Sequence, residues 1–282
     1  MLTTKNTEST ITETQALLLE QIEALAWMDM YSAAPADFAQ GLRIVQQEQP
    51  DMVLVSAALP VGLFNKTFLH GLNRPLDAEQ IDRIKTFFEA NNAMLYQVYL
   101  TPFSKPCYAG QLLLEHGFKH AGATDKVICD PRSIEPDQSL PADGLSVQTV
   151  NASNSASWAS FICSTYNGLP NHPWLAALVN RKGWHHVLAE KNGKIVACRS
   201  MYIAGECAWL GIDAPIPGLM TDDYLPDQLL TRHLLQTARE QGVTLVNSCI
   251  EAVDPSRQTP AYQYLYALGF TVAYTRNLYS PA

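Results

Sequence analysis

The segment with the clearest chemical potential is "GLMTDDYLPDQLLTRHLLQTAREQG", residues 218–242. Its second half has apolar residues at helical spacing, and Gly242 is the kind of residue that ends a helix. The start of such a helix presents free backbone N–H groups and a positive dipole end, which together favour an anion such as phosphate. Yet Asp222, Asp223 and Asp227 precede or begin the helix. The segment therefore combines an anion-binding backbone with anionic side chains.

Cysteines and histidines, the usual metal ligands, are scattered along the chain. The six cysteines show no CxxC spacing, and the seven histidines form no HxxxH or HExxH pattern. The adjacent pair His185 and His186 would point to opposite faces of a strand. We therefore predict no metal site and no disulfide framework, and we expect five of the cysteines to be small, reduced core residues.

Composition narrows the classes of protein and partner. A chain of 282 residues that is 47% hydrophobic and 16% charged is typical of a globular protein with one large domain or two lobes. A net charge of −8 disfavours nucleic acid and anionic membrane surfaces as partners. The polar, Thr-rich start resembles neither a signal peptide nor a membrane span, so we predict a cytoplasmic location.

Hydrophobic periodicity predicts alternating helices and strands in the first half. Residues 14–32 form a long helix, and "PLDAEQIDRIKTFFEANN" forms another, with Asp77 as N-cap and Ile81, Ile84 and Phe88 facing inward. Strands are predicted in "QPDMVLVSAALP", "AMLYQVYLTPF" and "KHAGATDKVICD", with a further helix in "CYAGQLLLEHGF".

The second half repeats this order after a proline-rich linker at residues 131–144. A strand and two short helices come first, and three antiparallel strands follow in "WHHVLAEKNGKIVACRSMYIAGECAWLGIDAP", with Asn192 and Gly193 as the first hairpin turn. The helix of residues 218–242, a strand "TLVNSCI", a helix "TPAYQYLYALGF" and a last strand complete it. The echo between "LLLEHGF" and "YLYALGF" suggests two copies of one fold.

This order of elements resembles the GCN5-related N-acetyltransferase superfamily. The ending "TPAYQYLYALGFTVAYTRNLY" is similar to that of a group of bacterial tandem members, and the matching positions are Tyr262, Gly269, Phe270, Tyr274, Arg276 and Asn277. The first half, beginning at "GLFNKTFLHGL", resembles the degenerate N-terminal copy of that group.

The resemblance implies an α/β (α+β) fold of two tandem lobes. Each lobe would have a mixed, mostly antiparallel sheet flanked by helices. Residues 1–130 would be the degenerate lobe, residues 131–144 the linker, and residues 145–282 the acyl-donor lobe with a splayed parallel strand pair.

The splayed pair would be "AWLGIDAP" and "TLVNSCI", with the donor's pantetheine arm in the gap between them. The donor-binding residues implied are Trp209, Leu210, Gly211, Ile212, Asp213, Gln228, Leu229, Ser248 and Cys249. The next loop normally reads Arg/Gln-x-x-Gly-x-Gly/Ala and binds pyrophosphate. Here "DDYLPDQ" places Asp222 at the basic position and adds Pro226, which has no N–H.

Three interpretations of this acidic loop remain open. In the first, Asp222 and Asp223 cap the helix and the ligand site is lost. In the second, a carrier protein presents the thioester on phosphopantetheine, which has a single phosphodiester. In the third, coenzyme A turns its phosphates toward a basic residue. The basic residues considered are Arg232, Arg257 and Lys194.

The resemblance also implies a base on the splayed strand and a tyrosine acid on the last helix. Asp213 is the predicted base, although it serves equally well as a cap of the following turn, and Glu251 is the second candidate. Tyr262 is the predicted acid, and Tyr264 and Tyr266 are its neighbours.

Two further groups of residues follow from the same resemblance. Cys249 is either an acyl acceptor or, more often for such a residue, an inert small hydrophobe. Trp174, Trp184 and Arg199 would line the acceptor pocket, although aromatic residues at these positions serve equally well as core packing.

We therefore predict an N-acyltransferase without a metal. It would move an acyl group from acyl-CoA or an acyl carrier protein to the primary amine of a small molecule or a peptide side chain. Its acidic surface would attract a cationic amine. The alternative is a catalytically inactive module that binds an acyl group or a carrier protein.

Overall fold

A computed structural model describes residues 11–47, 52–59, 61–134, 144–166, 172–252 and 255–282. The helices are α1 Glu13–Ser32, α2 Ala36–Leu42, α3 Ala78–Ala90, α4 Ala109–Glu115, α5 Ser155–Thr165, α6 His172–Ala176, α7 Leu225–Glu240 and α8 Pro260–Ala267. The strands are β1 Ile44–Gln47, β2 Met52–Ser56, β3 Lys66–Phe68, β4 Gln97–Leu100, β5 Phe118–Cys129, β6 Leu145–Thr149, β7 Trp184–Lys191, β8 Lys194–Ala204, β9 Cys207–Ala214, β10 Leu245–Glu251 and β11 Thr271–Pro281. Among the described residues, no helix is both long and apolar enough to cross a membrane.

The described chain forms two compact units. Unit 1 contains the described parts of Met1–Lys126, Cys249–Val253 and Val272–Ala282, and unit 2 contains those of Val127–Ser248 and Asp254–Thr271. The sequence-based division differs in assigning the last strand to the second lobe, whereas β11 lies in unit 1. Most of the predicted linker, residues 135–143, lies outside the described part of the chain.

The strands of unit 1 follow the order β1-β2-β3-β4-β11-β5. The β3–β4 pair is parallel, and β1–β2, β2–β3 and β4–β11 are antiparallel. Sequence periodicity predicted β2, β4, β5 and β11 but not β1 or β3. Those two strands have only four and three residues, too few for an alternating pattern to register.

The α3 helix is positioned as its sequence predicts. The carboxylate of Asp77 accepts the backbone N–H of Gln80 at 2.7 Å, which satisfies one free donor of the first turn. Ile81, Ile84 and Phe88 are buried and pack in a core to which β2, β4 and α4 also contribute. The N-cap and inward-facing residues predicted for this helix are therefore confirmed.

The α1 helix packs against β1, β2 and β3 and begins with a capping box between Thr12 and Gln15. Its inner face is unusual because it includes Glu20 and Glu23, which are 2% and 4% exposed. Carboxylates are almost never this deeply buried without cationic partners.

Those partners are Lys126 on β5 and Arg276 on β11. Arg276 Nη1 lies 2.9 Å from Glu20 Oε2 and 2.8 Å from Glu23 Oε2. Lys126 Nζ lies 2.5 Å from Glu23 Oε2 and 3.3 Å from Glu20 Oε1. We call Glu20, Glu23, Lys126 and Arg276 the buried ion cluster. It is neutral, with two charges of each sign.

A third buried cation, Lys66 on β3, lies beside this cluster. Its Nζ is 3.6 Å from the centroid of the Trp27 ring, a close cation–π contact. Burial lowers the pKa of Lys66 to about 7, although the negative charge of Glu23 opposes the shift. The ring of Trp27 therefore stabilises the charged form of an amine whose pKa burial has lowered to near physiological pH.

The strands of unit 2 follow the order β10-β9-β8-β7-β6. Strands β6 to β9 form an antiparallel meander, and β10 runs parallel to β9. Asn192 and Gly193 have φ angles of 53° and 73°, so the predicted hairpin turn is confirmed. Helix α7 contacts β6, β7 and β8, whereas α5 contacts β8, β9 and α6.

The cysteines are all free thiols in the structure. The sequence predicted five core cysteines, but four of the six are buried. Cys107 is exposed and Cys249 is half-buried. The buried ones are Cys129, Cys163, Cys198 and Cys207.

His186 on β7 is a buried histidine in the core of unit 2. Its Nδ1 lies 2.8 Å from Ser200 Oγ, and its ring contacts those of Trp158 and Trp184. Desolvation lowers the pKa of His186 from 6.5 to about 4. Folding therefore requires the neutral imidazole in this apolar setting.

We expect this residue to make unfolding pH-dependent. A folded-state pKa below the unfolded value contributes stability above about pH 6.5, and that stability is lost as the pH falls toward 4. The full loss corresponds to about 3 kcal/mol. Urea unfolding at several pH values between 7.5 and 4.5 would measure it, with His186→Gln as a non-titrating reference. Equal pH slopes for the two proteins would contradict this assignment.

Candidate functional site

The parallel pair β9 and β10 separates soon after it begins. Register pairs Leu245 with Cys207, Val246 with Ala208 and Asn247 with Trp209, and the pairing ends there although β9 continues to Ala214. The predicted splay therefore begins after Trp209. Two side chains bridge the strands at this point: Asn247 Nδ2 donates to Ala208 O at 2.9 Å, and Ser248 Oγ donates to Leu210 O at 2.8 Å.

A bulge bends β9 where it separates from β10. Ser200 pairs with Gly211 and Cys198 with Ala214, so Ile212 and Asp213 together oppose the single residue Arg199 of β8. Ile212 has a φ of 49°, a left-handed conformation that is unfavourable for a β-branched residue. Such bulges re-aim side chains next to functional sites.

Asp213, in the bulge, is half-buried, and its main-chain carbonyl accepts the hydroxyl of Tyr166. Burial raises the pKa of its carboxyl; the guanidinium of Arg199 lowers it, and Asp227 raises it further. A carboxyl with a raised pKa is suited to proton transfer near neutral pH. The resemblance predicted that this residue is either a base or a cap of the following turn, and its role as a base stays a prediction.

Three side chains on the α7 face of β8 form a buried network. Arg199 Nη1 lies 2.5 Å from Asp227 Oδ2, and Tyr264 from α8 donates its hydroxyl to the same oxygen. Thr231 Oγ1 also approaches it, at 3.4 Å. Burial raises the pKa of Tyr264, and the charge of Asp227 raises it further. Burial acts to lower the pKa of Arg199, but Asp227, Tyr264 and Asp213 together raise it above its usual value.

The start of α7 shows how the acidic loop is used. The backbone N–H of Leu225 donates to Asp223 Oδ1 at 3.2 Å, and that of Gln228 donates to Tyr224 O at 2.9 Å. Pro226, between them, has no N–H to offer. The bond of Gln228 is the first ordinary i→i−4 bond of the helix. Of the first-turn positions that could donate to an external phosphate, Leu225 is thus bound to the protein's own carboxylate and Pro226 has no donor.

The predicted tyrosine acid lies in the core. Tyr262 is completely buried and packs against Tyr266 at a ring distance of 6.2 Å. Tyr264 points to the opposite side of α8, is half-buried and reaches Asp227. Of the three tyrosines on this helix, Tyr264 is the one that the structure places in the polar network.

Cys249 and Glu251, both on β10, belong to unit 1. Arg276 Nη2 donates to Cys249 Sγ at 3.4 Å, and burial, followed by the charge of Glu23, raises the pKa of the thiol. Its surroundings therefore favour a protonated thiol over a nucleophilic thiolate. Glu251 is exposed.

The residues predicted for the acceptor pocket are all buried, and Arg199 lies on the opposite face of the sheet from Trp184. On β7, Trp184 pairs with Tyr202 of β8, and Val187, three positions after Trp184, pairs with Arg199 of β8. An odd separation places side chains on opposite faces of a sheet, so Arg199 faces α7 and Trp184 faces away from it. Trp174 lies in α6 and is 1% exposed.

The donor-binding set also contains a close contact within β9. A Cβ atom on Gly211 would lie 2.3 Å from the Trp209 ring, so the indole rests directly on the glycine. Trp209 also meets Trp184 edge to face at 6.4 Å. Gln228 and Leu229 are half-buried in the first turns of α7.

Sequence reasoning missed Asp227 as the partner of Arg199, and it missed Tyr166. One signal was available. An arginine inside the apolar strand "IVACRSMYIA" requires a buried acid nearby. The sequence does not show which of the three aspartates would supply it.

No family model and no curated relative matches the sequence. Solved structures do match. A GCN5-related N-acetyltransferase from Kribbella flavida is 16% identical, with a TM-score of 0.59 over 92% of this chain and 94% of its own. A tandem GNAT protein from the clavulanic acid biosynthesis pathway is 14% identical, with a TM-score of 0.57 over 95% and 93%.

The chain has the GCN5-related N-acetyltransferase fold. The predicted fold, of the mixed α/β class with helix-flanked sheets, is thereby confirmed. A protein of unknown function from Staphylococcus epidermidis shares the fold at 9% identity, with a TM-score of 0.56 over 84% of this chain and 92% of its own. At such identities the likeness concerns the fold, and activity has to be argued from the site.

Proposed function

We propose that the protein is an N-acyltransferase that moves an acyl group from a pantetheine thioester to a primary amine. The observation that carries the proposal is the separation of β9 from β10 after Trp209, which is followed along β9 by a bulge that holds the half-buried Asp213. An unpaired strand edge can accept a linear amide chain through backbone hydrogen bonds. Acyl-CoA and an acyl carrier protein both supply such a chain.

In the proposed reaction, the amine nitrogen attacks the thioester carbonyl. A C–N bond forms, the C–S bond breaks, and its electron pair leaves with sulfur. Asp213 takes the proton that the amine loses, for which a raised pKa is favourable. We propose Tyr264 over Tyr262 as the group that protonates the departing thiolate, because Tyr262 is completely buried.

The acceptor in this proposal is a small molecule or a peptide side chain with a primary amine. The net charge of −8 attracts a cationic amine toward the protein. The amine must lose a proton before attack, which again calls for a base at the site.

A thiol-release assay tests the function. The purified protein would be mixed with acetyl-CoA, longer acyl-CoAs or an acylated carrier protein, each with a mixed library of primary amines. Free thiol would be followed with a thiol-reactive dye, and the amide would be identified by mass spectrometry. Amine-dependent release is expected; its absence with every pair would contradict the proposal.

One observation favours a non-catalytic module as the second candidate. The hydroxyl of Ser248 donates a hydrogen bond to the carbonyl oxygen of Leu210, and the Trp209 ring lies against Gly211. The protein's own groups thus fill part of the gap. Calorimetry with a non-reactive thioether analogue of the donor distinguishes the two. Binding without thiol release would favour the module.

The two tyrosines on α8 provide a matched test of the acid. Tyr264→Phe should lower kcat about 100-fold, because it removes a proton donor from the transition state. Tyr262→Phe should leave kcat near the wild-type value, since that hydroxyl is buried in the core. Thermal unfolding would confirm that both variants fold, and the reverse pattern of kcat values would assign the role to Tyr262.

A further inference from the structure

The start of α7 is closed to a diphosphate by three separate features. The N–H of Leu225, one of the free donors of the first turn, is bound to Asp223 Oδ1. Position 226 is proline and has no N–H. The third feature is the carboxylate of Asp227, which is buried in the first turn of the helix.

Charge around this helix start also opposes a polyanion. Asp222 and Asp223 are exposed in the loop immediately before the helix. The nearby cation, Arg199, is 4% exposed and already paired with Asp227 at 2.5 Å. Lys194 is five residues before Arg199 on β8, which puts it roughly 17 Å away along the strand.

A pantetheine arm has different requirements. It is uncharged between the thioester and its terminal phosphate, and it needs only main-chain donors and acceptors. Strand β9 continues beyond its last pairing with β10 at Trp209. The structure thus retains a place for the arm while it lacks one for the nucleotide diphosphate.

We propose, on the basis of the acyltransferase function above, that the donor is recognised through its acyl-pantetheine arm alone. The matching donors are thioesters of pantetheine that carry at most one phosphate, either as free acyl-phosphopantetheine or as the phosphodiester-linked arm of a carrier protein. Coenzyme A adds a pyrophosphate and a 3′-phosphate that the acidic loop repels. The protein gains nothing from the nucleotide half of that molecule.

A donor series with one acyl group and one amine tests this. Acyl-pantetheine and acyl-phosphopantetheine should give kcat/KM values equal to or above that of acyl-CoA. A value for acyl-CoA more than threefold above that of acyl-pantetheine would overturn the inference and leave the acyltransferase function intact. An acylated carrier protein is the fourth donor in the series. A rate above or equal to that of acyl-phosphopantetheine supports the proposal and identifies the source of the arm.

Loop variants supply an independent readout. Asp222→Asn should raise kcat/KM for acyl-CoA about fivefold at low salt, since one carboxylate–phosphate repulsion disappears. The value for acyl-pantetheine should not change. Glu240→Gln, an exposed carboxylate at the far end of α7, is the matched control. A loss of acyl-CoA activity in Asp222→Asn would overturn the inference.

If no donor supports transfer, the proposed function fails, and binding still decides the donor question. Thioether analogues of acyl-pantetheine and acyl-CoA would be compared by calorimetry. Equal or tighter binding of the pantetheine analogue supports arm-only recognition. Binding of the CoA analogue more than threefold tighter overturns it.

Discussion

Asp213→Asn is expected to lower kcat/KM by about 100-fold or more, the usual contribution of a general base. Asparagine has nearly the same shape as aspartate but cannot accept the amine proton. The main-chain carbonyl of residue 213 would still accept the hydroxyl of Tyr166. The loss would therefore be chemical, with the bulge kept in place.

A pH profile shows whether Asp213 acts as the base. Burial raises the pKa of this carboxyl, and only the ionised form accepts a proton. Activity should therefore fall as the pH drops through a pKa above the ordinary aspartate range, and the Asn variant should lack this acid limb. Glu251→Gln is the control for the second predicted base. A large loss there with none at Asp213 would contradict the assignment.

Arg276→Met is expected to reduce the free energy of unfolding by about 3–5 kcal/mol. The guanidinium is 2% exposed and lies within 3 Å of Glu20 and Glu23. Its removal leaves the two buried carboxylates with Lys126 as the remaining cation of the cluster and with Lys66, whose pKa burial lowers to about 7, beside it. Breaking one side of a buried ion pair is costly because the remaining charge is desolvated and uncompensated.

Urea denaturation measures this loss of stability, and two other variants test whether unbalanced buried charge causes it. Lys105→Met removes an exposed ion pair with Glu13 in the same unit and should cost less than about 1 kcal/mol. Arg276→Met combined with Glu20→Met restores charge balance, so it should recover part of the stability. If the double variant is as unstable as the sum of its parts, charge balance is not the cause.

This cluster also explains part of the sequence resemblance. Tyr274 and Arg276, two of the matching residues near the C-terminus, bind the carboxylate of Glu20 in unit 1. Tyr262, a third, is a buried core residue in unit 2. These matches therefore indicate the fold correctly, although none of these three side chains lies in the polar network around Asp227.

Local sequence signals predicted the elements that have strong periodicity or distinctive turn chemistry. Helix α3, with its Asp77 cap, and the turn at Asn192 and Gly193 are as expected, because both depend on neighbouring residues. Strand β3 was missed because it is short and contains the buried Lys66. A lysine normally marks an exposed position, and the partners that stabilise this one, the ring of Trp27 and the charge of Glu23, are far away in sequence.

The sequence by itself determined that a helix starts near residue 225 and that proline and aspartates surround its first turn. Those properties depend on backbone propensity and hydrophobic spacing, which act over a few residues, whereas the type of fold was predicted from the resemblance to a known family. Only the tertiary structure decided that Asp227 turns inward to Arg199 while Asp222 stays in solvent. The packing of α7 on β8 makes that choice, because a buried arginine requires a carboxylate at the one position that faces it.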